Sequence, residues 1–459
     1  MSSPSLMQRD LAVLWHPCTQ MHDHETLPVI PVARAAGVWL TDTEGRRYID
    51  AISSWWVNIW GHANPHINAA LKEQLDTLEH VILAGFTHEP IVSLSEKLVA
   101  LAPAGLSRCF YADNGSAAIE VALKMSMHCW RNRGETAKTR FVALSGSYHG
   151  ETLGALSVTD IPLFSETYAP LLTPQLRVPS PDWTQAPEGV TPEQFARQQF
   201  AVMEELLKTR HAEISAVIVE PLVQGAAGMK MYHPVYLRLL REACSRYGVH
   251  LIADEIAVGF GRTGSFFACE QADITPDFLC LSKALTAGYL PMSVVLTTDE
   301  VYQTFYHRYE ALKGFLHSHS FTGNPLAARA ALASLELFAL DPQRQQQAAL
   351  AAVMAEELAR LQGHDHIRQI RQTGLIGAFD MTQRGGLPFD WRERRGLKVF
   401  EAALRQGVLL RPIGNTVYFM PPYVMTADEL RHVIRTAAGA VEEACAAPAA
   451  GHDNGFSLP

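Results

Sequence analysis

Residues 249–288 read VHLIADEIAVGFGRTGSFFACEQADITPDFLCLSKALTAG, and this segment is the most informative part of the sequence about the fold. It contains two short apolar runs, the first ending at Asp254 and the second leading into Lys283. Apolar runs of about four to eight residues with charged or glycine-rich flanks are typical of fully buried strands. The stretch therefore predicts two strands of a buried sheet, with an acid and an amine at their carboxyl ends.

Strand-like and helix-like segments alternate on both sides of this stretch, from about residue 70 to 330. Further β-rich runs are RCFYA, FVALSG, SAVIVEP and MSVVLTT, and helical patterns cover 234–247 and 325–340. Strands that alternate with helices form a sheet that is covered on both faces. The sequence therefore predicts an α/β fold with a large, mostly parallel sheet.

The rest of the chain predicts a smaller α+β domain built from N- and C-terminal segments. VWLTDTEGRRYID has the pattern of two short strands around a turn, and the C-terminal part alternates helical and strand-like runs. We expect an N-terminal arm and part of the small domain at 1–69, and the large ligand-binding domain at 70–335. The C-terminal small domain follows at 336–446, and a disordered tail at 447–459.

Composition argues against nucleic-acid and membrane partners. The 459 residues include 38 basic and 47 acidic side chains, which give a formal net charge of −9. This charge opposes binding to a phosphate backbone, so we expect no nucleic-acid partner. No window approaches about 18 uninterrupted apolar residues, and the start, MSSPSLMQRD, lacks the layout of a signal peptide. We therefore expect a cytoplasmic protein that does not enter a membrane.

The cysteines and histidines do not form a metal-binding pattern. The seven cysteines include no C-x-x-C pair, which favours reduced thiols over disulfides or zinc. His22 and His24 form one H-x-H pair, and His317 and His319 form another. Without an H-E-x-x-H motif or a His/Cys spacing to support them, we interpret these as loop histidines and expect no metal.

The glycine-rich segment after Asp254 contains a literal G-x-G-x-x-G at Gly259, Gly261 and Gly264. In dinucleotide-binding folds these glycines follow the strand directly and open a helix. Here several residues separate them from the strand, and the segment that follows has weak helical character. We therefore interpret the motif as a loop that places Arg262.

The amine of Lys283 and the acid of Asp254 together suggest one kind of cofactor. A lysine with apolar neighbours is desolvated, which lowers its pKa and makes the neutral amine available as a nucleophile. The 29 positions between the two residues fit neighbouring strands that end at one crevice. Pyridoxal phosphate needs such a pair, because the lysine forms an imine with its aldehyde and the acid keeps its ring nitrogen protonated.

Further polar residues follow other strand-like runs. Gly115 and Ser116 begin a helical pattern, where exposed amides could bind a phosphate, although an ordinary capped helix explains the same residues. Tyr148 could stack on a planar ligand or simply pack in the core. Arg411 could hold a substrate carboxylate with two parallel hydrogen bonds, or form a surface ion pair.

The ordered motifs NGSAAIE, YHG, ADEIAVGFGRTG, LSKALTAG and HSFTGNPLA resemble those of the class III, fold type I pyridoxal phosphate aminotransferases. The resemblance extends over nearly the whole chain, from about Trp15 to Glu443. It implies a fold type I structure whose large domain binds pyridoxal 5'-phosphate. It also implies a homodimer with shared active sites, which acts on a small keto acid and an amino donor.

The resemblance also assigns roles to individual residues. Lys283 forms the imine and then moves the proton between substrate and cofactor, and Asp254 pairs with the pyridine nitrogen. Tyr148 stacks on the cofactor ring, with Ile256 against the other face. The remaining implied cofactor contacts are Gly115, Ser116 and, from the neighbouring subunit, Ser320. The implied substrate contacts are Trp55, Tyr148, Arg262, Lys283, Gly288, Ser318 and Arg411.

Four further segments are most similar to one branch of this family, and they read WHPCTQM, DAISSWWVNIWGH, VQGAAGMKMYHP and RPIGNTVYFMPPY. The similarity implies conversion of 8-amino-7-oxononanoate to 7,8-diaminononanoate in biotin biosynthesis, with S-adenosylmethionine as the expected amino donor. One position departs from the pattern: Cys18 stands where the branch usually has a tyrosine that helps to seat the donor. A thiol lacks the reach and stacking of a phenol, so lysine or another amine also remains open as donor.

Three other functions remain open for the same motifs. A broad ω-amino acid or amine transaminase would use pyruvate or an oxoglutarate-type acceptor, although the paired tryptophans would be unexpected there. An aminomutase would work without an added amino donor. A catalytically silent cofactor-binding protein is disfavoured, because Lys283, Asp254 and Arg411 are all present.

Overall fold

The computed structural model of the chain describes residues 4–27 and 29–446. The tail predicted at 447–459 lies outside the described residues. The strands are β1 (Val32–Ala36), β2 (Trp39–Asp42), β3 (Arg47–Asp50), β4 (Leu106–Ala112), β5 (Arg140–Leu144), β6 (Leu176–Val178), β7 (Ile214–Val219), β8 (Val223–Gln224), β9 (Lys230–Met231), β10 (His250–Asp254), β11 (Phe278–Leu281), β12 (Ser293–Thr298), β13 (Ile367–Thr373), β14 (Ile376–Met381), β15 (Val408–Leu409) and β16 (Thr416–Phe419).

The helices connect these strands and cover the sheets. They are α1 (Leu6–Val13), α2 (Ser53–Trp56), α3 (Pro65–Leu75), α4 (Glu89–Leu101), α5 (Gly115–Asn132), α6 (Leu153–Ser157), α7 (Pro162–Ser165), α8 (Pro192–Arg210), α9 (Val235–Tyr247), α10 (Asp299–Gln303), α11 (Pro325–Phe338), α12 (Asp341–Ala359), α13 (Arg395–Arg405) and α14 (Ala427–Ala446). Among the described residues, no helix is both long enough and apolar enough to cross a membrane.

The large sheet has seven strands in the order β4-β12-β11-β10-β7-β5-β6. Strand β12 runs antiparallel to β11 and β4, and the other neighbouring pairs are parallel. The connection 282–292 between β11 and β12 is too short for the crossover that a parallel pair requires, which explains the antiparallel strand. The predicted α/β fold with a mostly parallel sheet is confirmed, and β6 is a strand that the pattern did not predict.

Every residue of the central strands β7, β10 and β11 is buried, as the continuous apolar runs predicted. Helix α5 packs against β7, β11 and β12, while α9 packs against β10 and α8. Because β10 lies between β7 and β11, the polar residues that follow these three strands lie side by side at one edge of the sheet.

Segments from both ends of the chain meet in a second region. Strand β15 pairs in parallel with β3 through Val408 and Ile49, so a C-terminal strand completes the sheet of the N-terminal hairpin. Strands β13, β14 and β16 form a separate antiparallel sheet, and α14 packs against α12 and α13. The smaller α+β domain is present, whereas its boundaries at 69, 335 and 446 stay a prediction.

Candidate active site

Four polar side chains converge at the carboxyl edge of the large sheet. Asp254 ends β10, Glu220 follows β7, Lys283 follows β11 and Tyr148 lies beyond β5. In open α/β sheets this edge is where ligands bind. The structure therefore brings together the acid, amine and aromatic side chain that the sequence placed on separate strands.

Asp254 is held by a histidine of the Tyr148 loop. The Nδ1 atom of His149 lies 2.7 Å from Asp254 Oδ2, and the amide of Ile256 donates to Oδ1 at 3.1 Å. Asp254 and His149 are both buried. A buried carboxylate requires such partners, and these fix the plane of the acid. Sequence analysis did not select His149, although its place beside Tyr148 in YHG was the available signal.

Lys283 is half-buried beside two carboxylates. Burial lowers the pKa of its amine, and the charges of Asp254 and Glu220 oppose part of that shift. Its Nζ lies 4.7 Å from the centroid of the Trp56 ring. Lys283 also has a φ of 45°. Residues other than glycine rarely adopt this left-handed backbone conformation unless the surrounding structure stabilises it.

Glu220 is a buried acid that sequence analysis did not select. Burial, together with the negative charge of Asp254, raises the pKa of Glu220 to about 8. Its two carboxylate oxygens accept the amides of Tyr148 at 2.9 Å and Gly225 at 3.0 Å. Glu220 therefore ties together two loops that border Lys283. Its place directly after the buried run SAVIV was the same signal that identified Asp254.

Glu255, which follows Asp254, turns away from this group. Its carboxylate accepts the amides of Ala268 at 2.7 Å and Cys269 at 2.8 Å, and it is fully buried. Residues 268–272 form a short 3-10 helix, and the glycines before them lie in turns. The glycine-rich segment is thus a loop, as predicted. Glu255 fixes the end of this loop through its hydrogen bonds to Ala268 and Cys269.

Two backbone amides at the start of α5 are open, that is, without a hydrogen-bond acceptor among the described residues. Asn114 caps the helix by accepting the Ala117 amide at 3.0 Å, while in the part of the chain that the structure describes the amides of Gly115 and Ser116 have no hydrogen-bond acceptor. The Ser116 hydroxyl accepts the Glu151 amide at 2.8 Å. The two interpretations of this segment are therefore compatible, because the cap occupies one amide and leaves two for an anion.

At the start of α5, Gly115 packs closely against the Ile256 side chain. A Cβ atom at Gly115 would lie 3.1 Å from two carbon atoms of Ile256, so any larger residue would press on that side chain. Tyr148 lies nearby, with its hydroxyl donating to Glu151 at 2.8 Å. Burial and Glu151 raise the Tyr148 pKa, which keeps the phenol neutral. Ring stacking by Tyr148 and Ile256 stays a prediction.

Arg411 provides an exposed cation at the mouth of the site. Its Nη2 donates to the Cys18 carbonyl at 3.0 Å, and its Cζ lies 4.6 Å from the Trp55 ring centroid. No carboxylate within the described ranges pairs with Arg411. This guanidinium is therefore available to an anionic ligand.

The two neighbouring tryptophans have different positions. Residues 53–56 all have positive φ values, from 44° to 73°, so the chain makes a left-handed turn that points the two rings apart. Trp55 is 41% exposed and lies on Arg411, whereas Trp56 is buried beside Lys283. Sequence analysis selected Trp55 but not Trp56. A left-handed turn follows neither the helical nor the strand repeat, so the sequence pattern could not predict which way each ring points.

Other predicted substrate residues lie at different depths. Arg262 is fully buried, donates to the Pro421 carbonyl at 2.6 Å and faces the Tyr423 ring, so it does not line an open entrance. Gly288 packs against Val57, to which an added Cβ would approach within 3.0 Å. Direct substrate contact by either residue stays a prediction. Ser318 and Ser320 are exposed on the irregular segment before α11.

Comparison with known proteins identifies the family. The family model described as Aminotransferase class-III matches residues 19–441. The chain belongs to the class III aminotransferases. It is 44% identical to the adenosylmethionine-8-amino-7-oxononanoate aminotransferase of Helicobacter pylori, over 95% of this chain and 97% of that protein.

Two solved structures show the same fold. The adenosylmethionine-8-amino-7-oxononanoate aminotransferase of Methanocaldococcus jannaschii has a TM-score of 0.90 and 33% identity, covering 95% of this chain and 98% of that one. The omega transaminase of Pseudomonas jessenii in complex with PMP has a TM-score of 0.91 and 28% identity, covering 96% and 98%. The predicted fold type I aminotransferase is thus confirmed.

The cofactor of this aminotransferase family is pyridoxal 5'-phosphate, and the residues present fit it. The open amides of Gly115 and Ser116 suit its phosphate, and buried Asp254 suits a protonated ring nitrogen. Lys283 supplies an amine at the same edge of the sheet.

Proposed function

We propose that this aminotransferase converts 8-amino-7-oxononanoate to 7,8-diaminononanoate, a step of biotin biosynthesis, with S-adenosylmethionine as amino donor. The observation that carries the proposal is Arg411, an exposed guanidinium without a carboxylate partner among the described residues, at the mouth of a site that contains Lys283. A carboxylate-bearing keto acid fits this pairing of cation and amine. The similarity to relatives that bear this enzyme name supports the same substrate.

When bound, pyridoxal phosphate supplies an aldehyde that accepts the amino group and a ring that accepts electrons. In our proposal Lys283 would hold the aldehyde end of the cofactor and would move the substrate proton with its Nζ. Asp254 would stabilise the positive charge of the ring nitrogen, and His149 keeps the acid in place. Arg411 orients the carboxylate end of the substrate.

The donor can be tested directly. Purified protein would be incubated with 8-amino-7-oxononanoate and, separately, with S-adenosylmethionine, lysine and other amines, and 7,8-diaminononanoate would be measured. Product with S-adenosylmethionine supports the full proposal. Product with lysine alone would retain the reaction and change the donor, which Cys18 beside Arg411 makes a specific question. An aminomutase would instead convert 8-amino-7-oxononanoate, without any donor, into an isomer that carries a single amino group, and 7,8-diaminononanoate would not form.

A broad ω-transaminase is the second and less supported candidate: the Pseudomonas jessenii enzyme has the same fold, but at 28% identity, compared with 44% for the Helicobacter pylori relative. Such an enzyme would transfer amino groups from simple amines to pyruvate. The two proposals separate on kcat/KM: the first requires a higher value for 8-amino-7-oxononanoate than for pyruvate, and the second requires the reverse.

We further propose that the enzyme acts in the cytoplasm as a homodimer. Large apolar side chains are exposed around Ser320, including Tyr309 at 85%, Leu316 at 94% and Phe321 at 64%. Several large apolar side chains exposed on one segment are more typical of a surface that contacts a partner than of a surface that faces water. A second copy on this surface would bring Ser320 towards the cofactor phosphate of the neighbouring site.

Ser320→Ala is expected to weaken cofactor retention by about tenfold or more, because a hydrogen bond to a charged phosphate is lost. Retention would be measured by visible absorbance after dialysis, with Ser93→Ala as control, because the Ser93 hydroxyl makes only a surface hydrogen bond to Glu89 within α4. Hybrid dimers of Ser320→Ala and Lys283→Ala chains should recover one normal site, since the intact Ser320 comes from the partner. Equal retention in the wild type and Ser320→Ala, without recovery in hybrids, would contradict the shared site.

Arg411→Met should raise the KM for the keto acid by roughly 10- to 150-fold, the range for a lost hydrogen bond to a charged group. The KM for an uncharged ester of the same substrate should change little. Arg411→Lys keeps the charge without the two-pronged geometry and should fall between. Arg394→Met is the control, because its guanidinium pairs with Asp23. Equal KM increases for acid and ester would contradict the carboxylate role.

A further inference from the structure

Trp56 is held in one orientation at the wall of the site. It is 5% exposed, and its Nε1 donates to the Tyr418 hydroxyl at 3.1 Å. The two rings meet edge-on, with centroids 6.0 Å apart at 78°. On the other side, a Cβ atom at Gly225 would lie 3.0 Å from the indole, so only glycine fits there without displacing it. The indole therefore presents a fixed face.

That face points at the amine of Lys283. The Nζ lies 4.7 Å from the Trp56 ring centroid, within the distance at which an aromatic ring attracts a cation. Among the residues described by the structure, no group makes a hydrogen bond to this amine. The charged groups that act on it are Asp254 at the end of β10 and Glu220 after β7. The ring is thus the contact that defines where the amine rests.

We propose that Trp56 is a positioning residue for Lys283, whose indole face holds the amine in its charged form whenever it is not bonded to another group. This inference rests on the proposed role of Lys283 as the reacting amine. Burial disfavours a charged amine, and the negative face of the indole offsets part of that cost. The ring would thereby keep the released amine beside the sheet edge and set the pH at which it loses its proton.

The test measures how the uptake of pyridoxal phosphate by the cofactor-free, full-length protein depends on pH, from the visible absorbance of the bound form. The neutral amine is the nucleophile, so the midpoint of the rate profile reports the pKa of Lys283. Tryptophan at position 56 would be replaced by a ring-fluorinated tryptophan, which weakens the negative face and nearly preserves the shape. We expect the midpoint to fall by roughly 0.5 to 1 pKa unit.

Trp39 provides a matched control, because its ring also holds a cation, with Arg47 Cζ 4.2 Å from the centroid, but lies on β2. The same fluorination at Trp39 should leave the midpoint at the wild-type value. Tyr418→Phe removes the hydroxyl that orients Trp56, and should shift the midpoint in the same direction by less. It also serves as the test if the fluorinated protein does not fold.

An unchanged midpoint in the folded Trp56 protein, or in Tyr418→Phe if that protein alone folds, would overturn the inference while leaving the proposed function intact. Covalent uptake by Lys283→Ala at the wild-type rate would instead overturn the proposed role of Lys283. The two failures are therefore distinguishable.

Discussion

Lys283→Ala should lose covalent attachment of pyridoxal phosphate and lower transamination on the order of 10⁴-fold, the upper range for a positioned proton-transfer group. The variant lacks the amine that bonds to the aldehyde, and no other lysine among the described residues follows a strand at this edge of the large sheet. Borohydride reduction followed by peptide mass mapping should label Lys283 in the wild type and no residue in the variant. Steady-state assays measure the loss of activity.

A surface lysine is the control for this change. Lys208→Ala alters an exposed side chain at the end of α8 and should keep both the label and full turnover. Wild-type turnover by Lys283→Ala, or a reduced label on a different lysine in the wild type, would contradict the proposed mechanism.

Asp254→Asn should lower kcat by roughly 10- to 1,000-fold. An adjacent carboxylate raises the pKa of a cationic ring nitrogen by about 1 to 3 units, and the amide loses that charge while it keeps the shape. The visible spectrum of the bound cofactor should change as well, because its ring is then mostly neutral at pH 7. His149→Gln should show a smaller loss, since it removes the support of the acid rather than the acid itself.

Glu255→Gln is the matched control for Asp254→Asn. Glu255 is the next residue and is fully buried, but its carboxylate accepts the amides of Ala268 and Cys269 instead of facing the site. We expect lower thermal stability with an unchanged spectrum. If Glu255→Gln changed the spectrum as much as Asp254→Asn, the assignment of the acid to the ring nitrogen would be wrong.

Much of the large domain was predictable because its strands are buried on both faces. The runs that contain β7, β10 and β11 are continuously apolar, and each is followed directly by a polar side chain. Asp254 and Lys283 could be placed at one edge for this reason. Glu220 follows the apolar run of β7 in the same way, so the sequence contained enough information to predict its place in the site as well.

Other residues of the site could not be found in this way. Trp55 and Trp56 are identical neighbours in the sequence, and only the left-handed turn at 53–56 sends one to Arg411 and the other to Lys283. The burial of the Arg262 side chain likewise depends on its contacts with Pro421 and Tyr423, which are far away in the chain. Local patterns contain no information about such distant contacts.

Local sequence patterns identify the alternation of strands and helices, the polar residues at strand ends and the family motifs, since each depends on neighbours along the chain. The tertiary structure alone decided which polar groups touch: His149 on Asp254, Trp56 on Lys283 and the Cys18 carbonyl on Arg411. These contacts join residues that are 105, 227 and 393 positions apart in the chain, because packing fixes side-chain direction only after distant strands have paired.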